Sequence, residues 1–292
     1  MNLRKIGPLL QETFKQWQQD KASRLAAALA YYTVFSISPL LVIAIAIAGV
    51  FFGQSEAKQQ VIQQLDTLLG PEAMTPILNA LNNISQPRIR GIASLISIGV
   101  LFIGASGIFA QLQDALNTVW KVQPQSGLGI WVFIRKRIFS FIMVVAIAFL
   151  LILSLILSAA VSTISKYRTD FLPGSAIVWE NLDFIVSLGL MTFLFGLMFK
   201  YVPDAKITWK DVWVGSVITA ILFLFGKFLL GLYLSGGSLG SAYGAAGSLI
   251  VFLAWVYYSA QIILLGAEFT QVYAQMYGSK IRASKNSKIT QY

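Results

Sequence analysis

The chain has 292 residues, of which 57% are hydrophobic and only 12% charged. A soluble globular protein carries about 25% charged residues, so the composition excludes an ordinary water-soluble fold and fits a bundle whose lipid-facing exterior is as apolar as its interior. Cysteine and histidine are absent, which excludes disulfides, thiolate metal sites and the commonest general base; the net charge of +10 would suggest nucleic acid in a soluble protein but must first be weighed against membrane topology.

Residues 1–23 form a cytoplasmic segment in which Leu3, Ile6, Leu10, Phe14 and Trp17 make a stripe at helical spacing, opposite Lys5, Glu12, Lys15 and Gln16. The pattern predicts an amphipathic helix on the inner leaflet; a partner-binding helix is the alternative. The first apolar run lies near Leu25–Phe52, long enough to span about 30 Å of hydrocarbon. Its length and late start predict an uncleaved anchor rather than a signal peptide. Pro39, in Ser36-Ile37-Ser38-Pro39, should kink it and free carbonyls that the serines partly satisfy, giving a packing kink or a gate.

The segment 54–90 carries two apolar stripes, Val61, Leu65 and Leu68, then Met74, Ile77, Leu78 and Leu81, separated by Gly70-Pro71. Two short helices capping the outer face are predicted, with Pro71 in the first turn of the second. The second span lies near Ile92–Leu112 and ends in Gln111, Asp114 and Thr118 on one face, with Gln113 and Asn117 beside them. Such a polar stripe faces protein or water, as helix-end bonding or as the lining of a solute path.

The third span is Ile138–Val161, the fourth Leu182–Phe199 and the fifth Val212–Leu234. Lys227, about 15 residues into the fifth, should lie past the midplane, where it either snorkels to the outer headgroups or forms a basic site for an anionic solute or lipid headgroup. The small-residue run from Gly236 to Ser248 opens the last span, near Tyr243–Tyr273. Gly240, Tyr243 and Gly244 there permit either close helix approach or a flexible gate. Glu268 lies near the cytoplasmic end of that span, too far in depth from Lys227 for a salt bridge. It is expected to meet Arg24 or Lys21 in an ion pair, or to bind a proton or cation. Residues 276–292 make a basic tail expected to be disordered.

Sixteen of the 22 Lys and Arg fall before span one, between spans two and three, between four and five, and in the tail; the alternate loops hold five. The positive-inside rule therefore predicts six spans with both termini cytoplasmic. Trp120, Trp131, Trp209 and Trp213 fall at predicted inner interfaces and Trp179 at an outer one; Trp255 is the exception, lying inside the last span. No phosphate loop, nucleophile elbow or paired carboxylates spaced for two metals occur, so no catalytic residues, metal or cofactor are expected. The basic excess is accounted for by topology, so no nucleic-acid partner is expected either.

The stretch Arg24-Leu25-Ala26-Ala27-Ala28-Leu29-Ala30-Tyr31-Tyr32-Thr33-Val34-Phe35-Ser36-Ile37-Ser38-Pro39-Leu40 resembles the signature of the YihY/virulence factor BrkB family. So do Gln111-Leu112-Gln113-Asp114-Ala115-Leu116-Asn117 with Trp120, and Tyr201-Val202-Pro203-Asp204 with Trp209, Asp211 and Gly215. Ala242-Tyr243-Gly244-Ala245-Ala246-Gly247-Ser248, Trp255-Val256-Tyr257 and Leu265-Gly266-Ala267-Glu268 complete the set, which runs in order from about Phe14 to Tyr273. The resemblance implies a bacterial inner-membrane protein of about six helices, in a family some of whose members are labelled virulence-associated or ribonuclease BN-like. The residues do not fit the ribonuclease label.

The expected fold is thus an all-α polytopic bundle of six transmembrane helices, its membrane domain at 24–275. The expected function is a transporter or exporter of a small solute, ion or lipid; a non-transporting envelope assembly or scaffold protein is the alternative. Lys227, Glu268, Arg24, Gln111, Asp114 and Asn117 are the candidate substrate- or ion-pathway residues, and Pro39, Gly240, Tyr243 and Gly244 the candidate kink or gate. The bilayer is the expected partner, and small-residue faces are compatible with a homo-oligomer.

Overall fold

A computed structural model describes residues 6–69, 71–84, 92–124, 175–235, 246–279, 281–283 and 287–289. The predicted third span, together with Gly240, Tyr243 and Gly244, lies outside the described residues.

Helix α1 (Ile6–Gln19) is followed by α2 (Ala22–Phe52), and Lys21 takes the left-handed conformation between them, with φ 54° and ψ 42°. That reversal folds α1 back. Leu9 and Thr13 are buried, with Leu9 packed on Phe269 and Val272, while Leu10 and Phe14 stay 54% exposed. The predicted stripe is therefore split: Leu10 and Phe14 face outward, and the face one residue earlier seals against the bundle.

At 31 residues α2 is roughly 46 Å long, more than a bilayer core requires. It runs as a helix through Pro39 and packs antiparallel on α5 (Ile92–Val119). A Cβ on Gly104 would lie 3.1 Å from Pro39 Cγ, and one on Gly107 3.2 Å from Ser36 Oγ. Glycines at both positions let the backbones approach. Ser36 was expected to satisfy carbonyls freed within its own helix; instead it donates across the seam to the Gly104 carbonyl at 2.7 Å.

Gly53, at φ 87°, turns the chain into α3 (Gln54–Leu69), and α4 (Pro71–Ile84) starts on its proline, as the sequence predicts. Val61, Met74, Ile77 and Leu81 are buried with Leu41 of α2 and with Val251 and Phe252 of the last helix. The cap is thus packed on the bundle through the stripes that the sequence shows.

Helices α6 (Ser175–Tyr201), α7 (Trp209–Ser235) and α8 (Gly247–Met276) are the remaining helices among the described residues. Among the described residues three helices are long and apolar enough to cross a membrane: Ala22–Ala46, Trp209–Leu232 and Gly247–Met276. Ile185–Tyr201 within α6 is a shorter apolar helix. The last helix is described from Gly247 onward. It is central, touching α1, α2, α4, α5 and α7.

Helices α7 and α8 cross where small residues interlock. A Cβ on Gly215 would overlap the Thr270 hydroxyl, and one on Gly266 would overlap that of Thr219. Each threonine also donates to the carbonyl four residues back in its own helix, Thr219 to Gly215 and Thr270 to Gly266, both at 2.7 Å. The hydroxyls are satisfied internally, so the crossing can be tight without stranding a polar group.

The described residues are nearly all helix, with two short antiparallel ribbons beside it. β1 (Val122–Pro124) pairs with β4 (Ser287–Ile289), in register Val122↔Ile289, and β2 (Ala205–Lys206) with β3 (Arg282–Ala283). The tail expected to be disordered thus contributes its described residues 282–283 and 287–289 to these pairings. β1 and β2 follow the ends of α5 and α6 and present backbone groups that the tail satisfies.

Candidate functional site

The N-terminus of α2 and the C-termini of α5, α6 and α8 meet the N-terminus of α7 at one end of the bundle, and the polar residues gather there. Two chain reversals at this end share one device. Lys21 after α1 and Lys121 after α5 are the two non-glycine residues with positive φ among the described residues, both at 54°. A left-handed lysine costs roughly 1–2 kcal/mol, and each turn swings the chain sharply at a helix end.

The consequence is a charge cluster drawn from three elements. Lys121 pairs with Asp20 at the α1–α2 junction, both side chains largely buried. Glu268, eight residues before the end of α8, is 0% exposed. The Asp20 carboxyl lies beside it, close enough for the two acids to interact. Both Glu268 oxygens and Asp20 Oδ2 are buried without a donor among the described residues, and the indole N–H groups of Trp17 and Trp120 are buried without an acceptor.

Glu268 was expected to meet Arg24 or Lys21. Both are exposed, and the groups facing Glu268 are Asp20 and Lys121 instead. The reason is geometric: the left-handed turn at Lys21 places Asp20, not Lys21, on the side of α8. One ammonium now stands against two carboxylates. Removing a carboxylate from water without full compensation costs several kcal/mol, so this pair is chemically prepared to take one further positive charge.

The polar end of α5 also differs from expectation. Gln111 is half-buried and Asp114 is exposed; Gln113 and Asn117 are the buried members. Asn117 accepts from the Asp204 backbone N–H at 2.7 Å and donates to Asp204 Oδ2 at 3.1 Å, while Gln113 donates to Oδ1 at 3.3 Å. Asn117 therefore clamps the α6–α7 turn onto α5. The seam the sequence marks as polar is real, but it is rotated by one face and is filled by Asp204.

Asp211 makes a third tie. It accepts from Thr208 Oγ1 (2.8 Å), from Ser279 Oγ (2.6 Å) and from the Ser279 backbone N–H (3.2 Å). A Cβ on Gly278 would lie 2.7 Å from the Asp211 carboxyl carbon, so glycine is needed for the end of α8 to come this close.

Lys227 stands apart. It lines a narrow crevice between α7 and α8 with Phe223, Leu230, Trp255, Tyr258, Ser259 and Ile262, which has no carboxylate in its wall. Gly226 lets the Tyr258 ring lie against α7, since a Cβ there would sit 2.7 Å from Tyr258 Cε1. Because Gly266 meets Thr219, Lys227 lies eight residues, roughly 12 Å, farther along α7 than that crossing. No ion pair joins it to Glu268 among the described residues.

Sequence reasoning singles out Glu268 but misses Asp20, Lys121, Trp17 and Trp120. Asp20 carries one signal: it is an acidic residue within a net basic segment, immediately before a span.

The profile of the family described as Virulence factor BrkB matches residues 13–290. A UPF0761 membrane protein of Pseudomonas aeruginosa (strain LESB58) is 30% identical over 265 residues, covering 85% of this chain and 58% of the relative. One of Psychrobacter sp. (strain PRwf-1) is 27% identical over 256 residues, covering 86% and 46%. One of Delftia acidovorans is 26% identical over 261 residues, covering 88% and 60%. The chain thus spans about half to three-fifths of the length of these curated relatives. No solved structure matches it. A match over nearly the whole chain, joined to three helices of membrane-spanning length and composition, confirms the resemblance in the motifs: the chain is an integral membrane protein and belongs to the Virulence factor BrkB family.

Proposed function

We propose that the chain is a transporter or exporter of a small solute, ion or lipid in the bacterial inner membrane, with six spans and both termini in the cytoplasm. In this reading α1 lies along the inner leaflet with Leu10 and Phe14 toward lipid, and no covalent catalysis occurs. The observation that carries it is Glu268, fully buried on the central helix, with both carboxylate oxygens unpartnered and a second carboxyl facing it. A buried ionisable group inside a membrane bundle is expensive, and such groups mark ion and proton paths. In this reading Glu268 binds the coupling proton or cation.

The test is reconstitution. In proteoliposomes enclosing a pH-sensitive dye, adding Na⁺, K⁺ or an alkylammonium salt outside should move protons with wild-type protein. Glu268→Gln, inserted to the same level, should lower that movement at least tenfold. Equal movement with both proteins, or none with wild type, would contradict the reading.

A further inference from the structure

The cluster around Glu268 is closed from solvent, and among the described residues its charges do not balance. Asp20 and Glu268 bring two carboxylates, Lys121 brings one ammonium, and Arg24 and Lys21 are exposed. A divalent metal prefers six or more oxygen ligands; here a carboxylate pair is all that faces inward, and Lys121 already occupies one oxygen of Asp20. Two neighbouring buried carboxyls, with three oxygens lacking donors among the described residues, are the arrangement in which one proton is held between two acids. One proton brings the buried charge to zero.

The same geometry ties that proton to a moving part. Leu9 and Thr13 are the buried residues of α1, and Asp20 continues its last turn with its N–H bonded to the Gln16 carbonyl. Leu9 packs on Phe269 and Val272, next to and one turn beyond Glu268. Helix α1 therefore covers Glu268, and it is joined to the bundle at its far end through Asp20, Lys121 and Glu268. The outward face of α1, with Leu10 and Phe14 exposed, has no such attachment among the described residues.

We infer that Asp20 and Glu268 share a single proton that latches α1 onto α8, so that its loss releases α1 and opens Glu268 to water. The balance is simple: the shared O–H bond breaks, the proton leaves to bulk water, and two carboxylates remain facing one another beside one ammonium. Their repulsion is relieved by separating α1 from α8, with Lys121 following Asp20 or moving to Glu268. This deepens the transport reading by naming the proton as the coupling ion, and it rests on the same site.

The chain has no cysteine, so a single Gln11→Cys on the exposed side of α1 can carry a spin label. In full-length protein in nanodiscs, the label should change from immobile to mobile as pH is raised. The variants Glu268→Gln and Asp20→Asn, in which an amide N–H replaces the shared proton, should keep it immobile across the range. Lys121→Gln, which leaves the pair without its counter-charge, should retain a transition but move it by more than a tenfold change in proton concentration. Mobility independent of pH in wild type, or the same transition in Glu268→Gln, would overturn the latch. A transition that depends on Glu268, in protein that moves no protons across vesicles, would sustain the latch and remove the transport reading.

Discussion

The side chain of Thr270 fills the space above Gly215, so closely that a methyl group on Gly215 would lie 2.7 Å from Thr270 Cβ. Thr219 stands in the same relation to Gly266, and both threonines sit four residues after a glycine that accepts their hydroxyl. Two Gly-x-x-x-Thr segments running in opposite directions thus form one reciprocal joint. Without a hydrophobic driving force between helices in lipid, such packing carries the association.

Gly215→Ala should therefore lower the thermal midpoint of the purified protein by several degrees, from about 1–3 kcal/mol of overpacking. Thr270→Gly in the same chain should restore part of the loss, because it returns the space on the facing helix. The pair should be non-additive. A Gly215→Ala protein as stable as wild type would show that the joint is looser than the geometry implies.

Asn117 makes two hydrogen bonds to Asp204, one of them to a backbone N–H. Asn117→Ala strands these groups and should cost about 1–3 kcal/mol. Asn117→Asp should be worse, since it sets a second carboxylate against that of Asp204. Proteolysis of the 201–208 turn would report the released segment, and an Ala variant less stable than the Asp variant would contradict the assignment.

Lys121→Met leaves two facing carboxylates without their ammonium. Breaking one partner from a buried pair costs about 3–5 kcal/mol, and Lys121 and Asp20 are both largely buried. Adding Glu268→Gln should recover a substantial part of that loss, as thermal midpoints in detergent would show. If the double variant is simply the sum of the singles, the three groups do not act as one cluster.

The topology proposal has its own check. Single cysteines at Gln60 and Asp170 should react with an impermeant thiol reagent from outside intact spheroplasts, and those at Gln125 and Lys285 only after permeabilisation. The reverse pattern would sink the orientation.

Three of the spans and the two helices of the cap were legible because run length and local periodicity set them. Met74, Ile77 and Leu81 recur at helical spacing, and each is buried where that spacing places it. Pro71 marks the start of α4 through its own backbone chemistry. The polar end of α5 was only half legible. A helical wheel separates Gln111 and Asp114 from Gln113 and Asn117, but which face is covered depends on the α6–α7 turn, 87 residues away from Asn117. The candidate site was legible at one residue, Glu268, because a charge inside an apolar run shows in any hydropathy reading. Its partners were not. Asp20 and Lys121 are 101 residues apart, and the left-handed turns that bring them together occur at lysines, which carry no turn signature. The pairings of 282–283 and 287–289 were not legible for a related reason: the tail's polar composition carries no strand signal, and its partners follow the ends of other helices.

The central claim is that Asp20 and Glu268 form one proton-binding unit, and pH-difference infrared spectroscopy of the purified protein tests it most directly. Wild type should show one buried carboxylic acid C=O band that disappears in Glu268→Gln and is lost or shifted in Asp20→Asn. A difference spectrum that neither substitution alters would contradict the account.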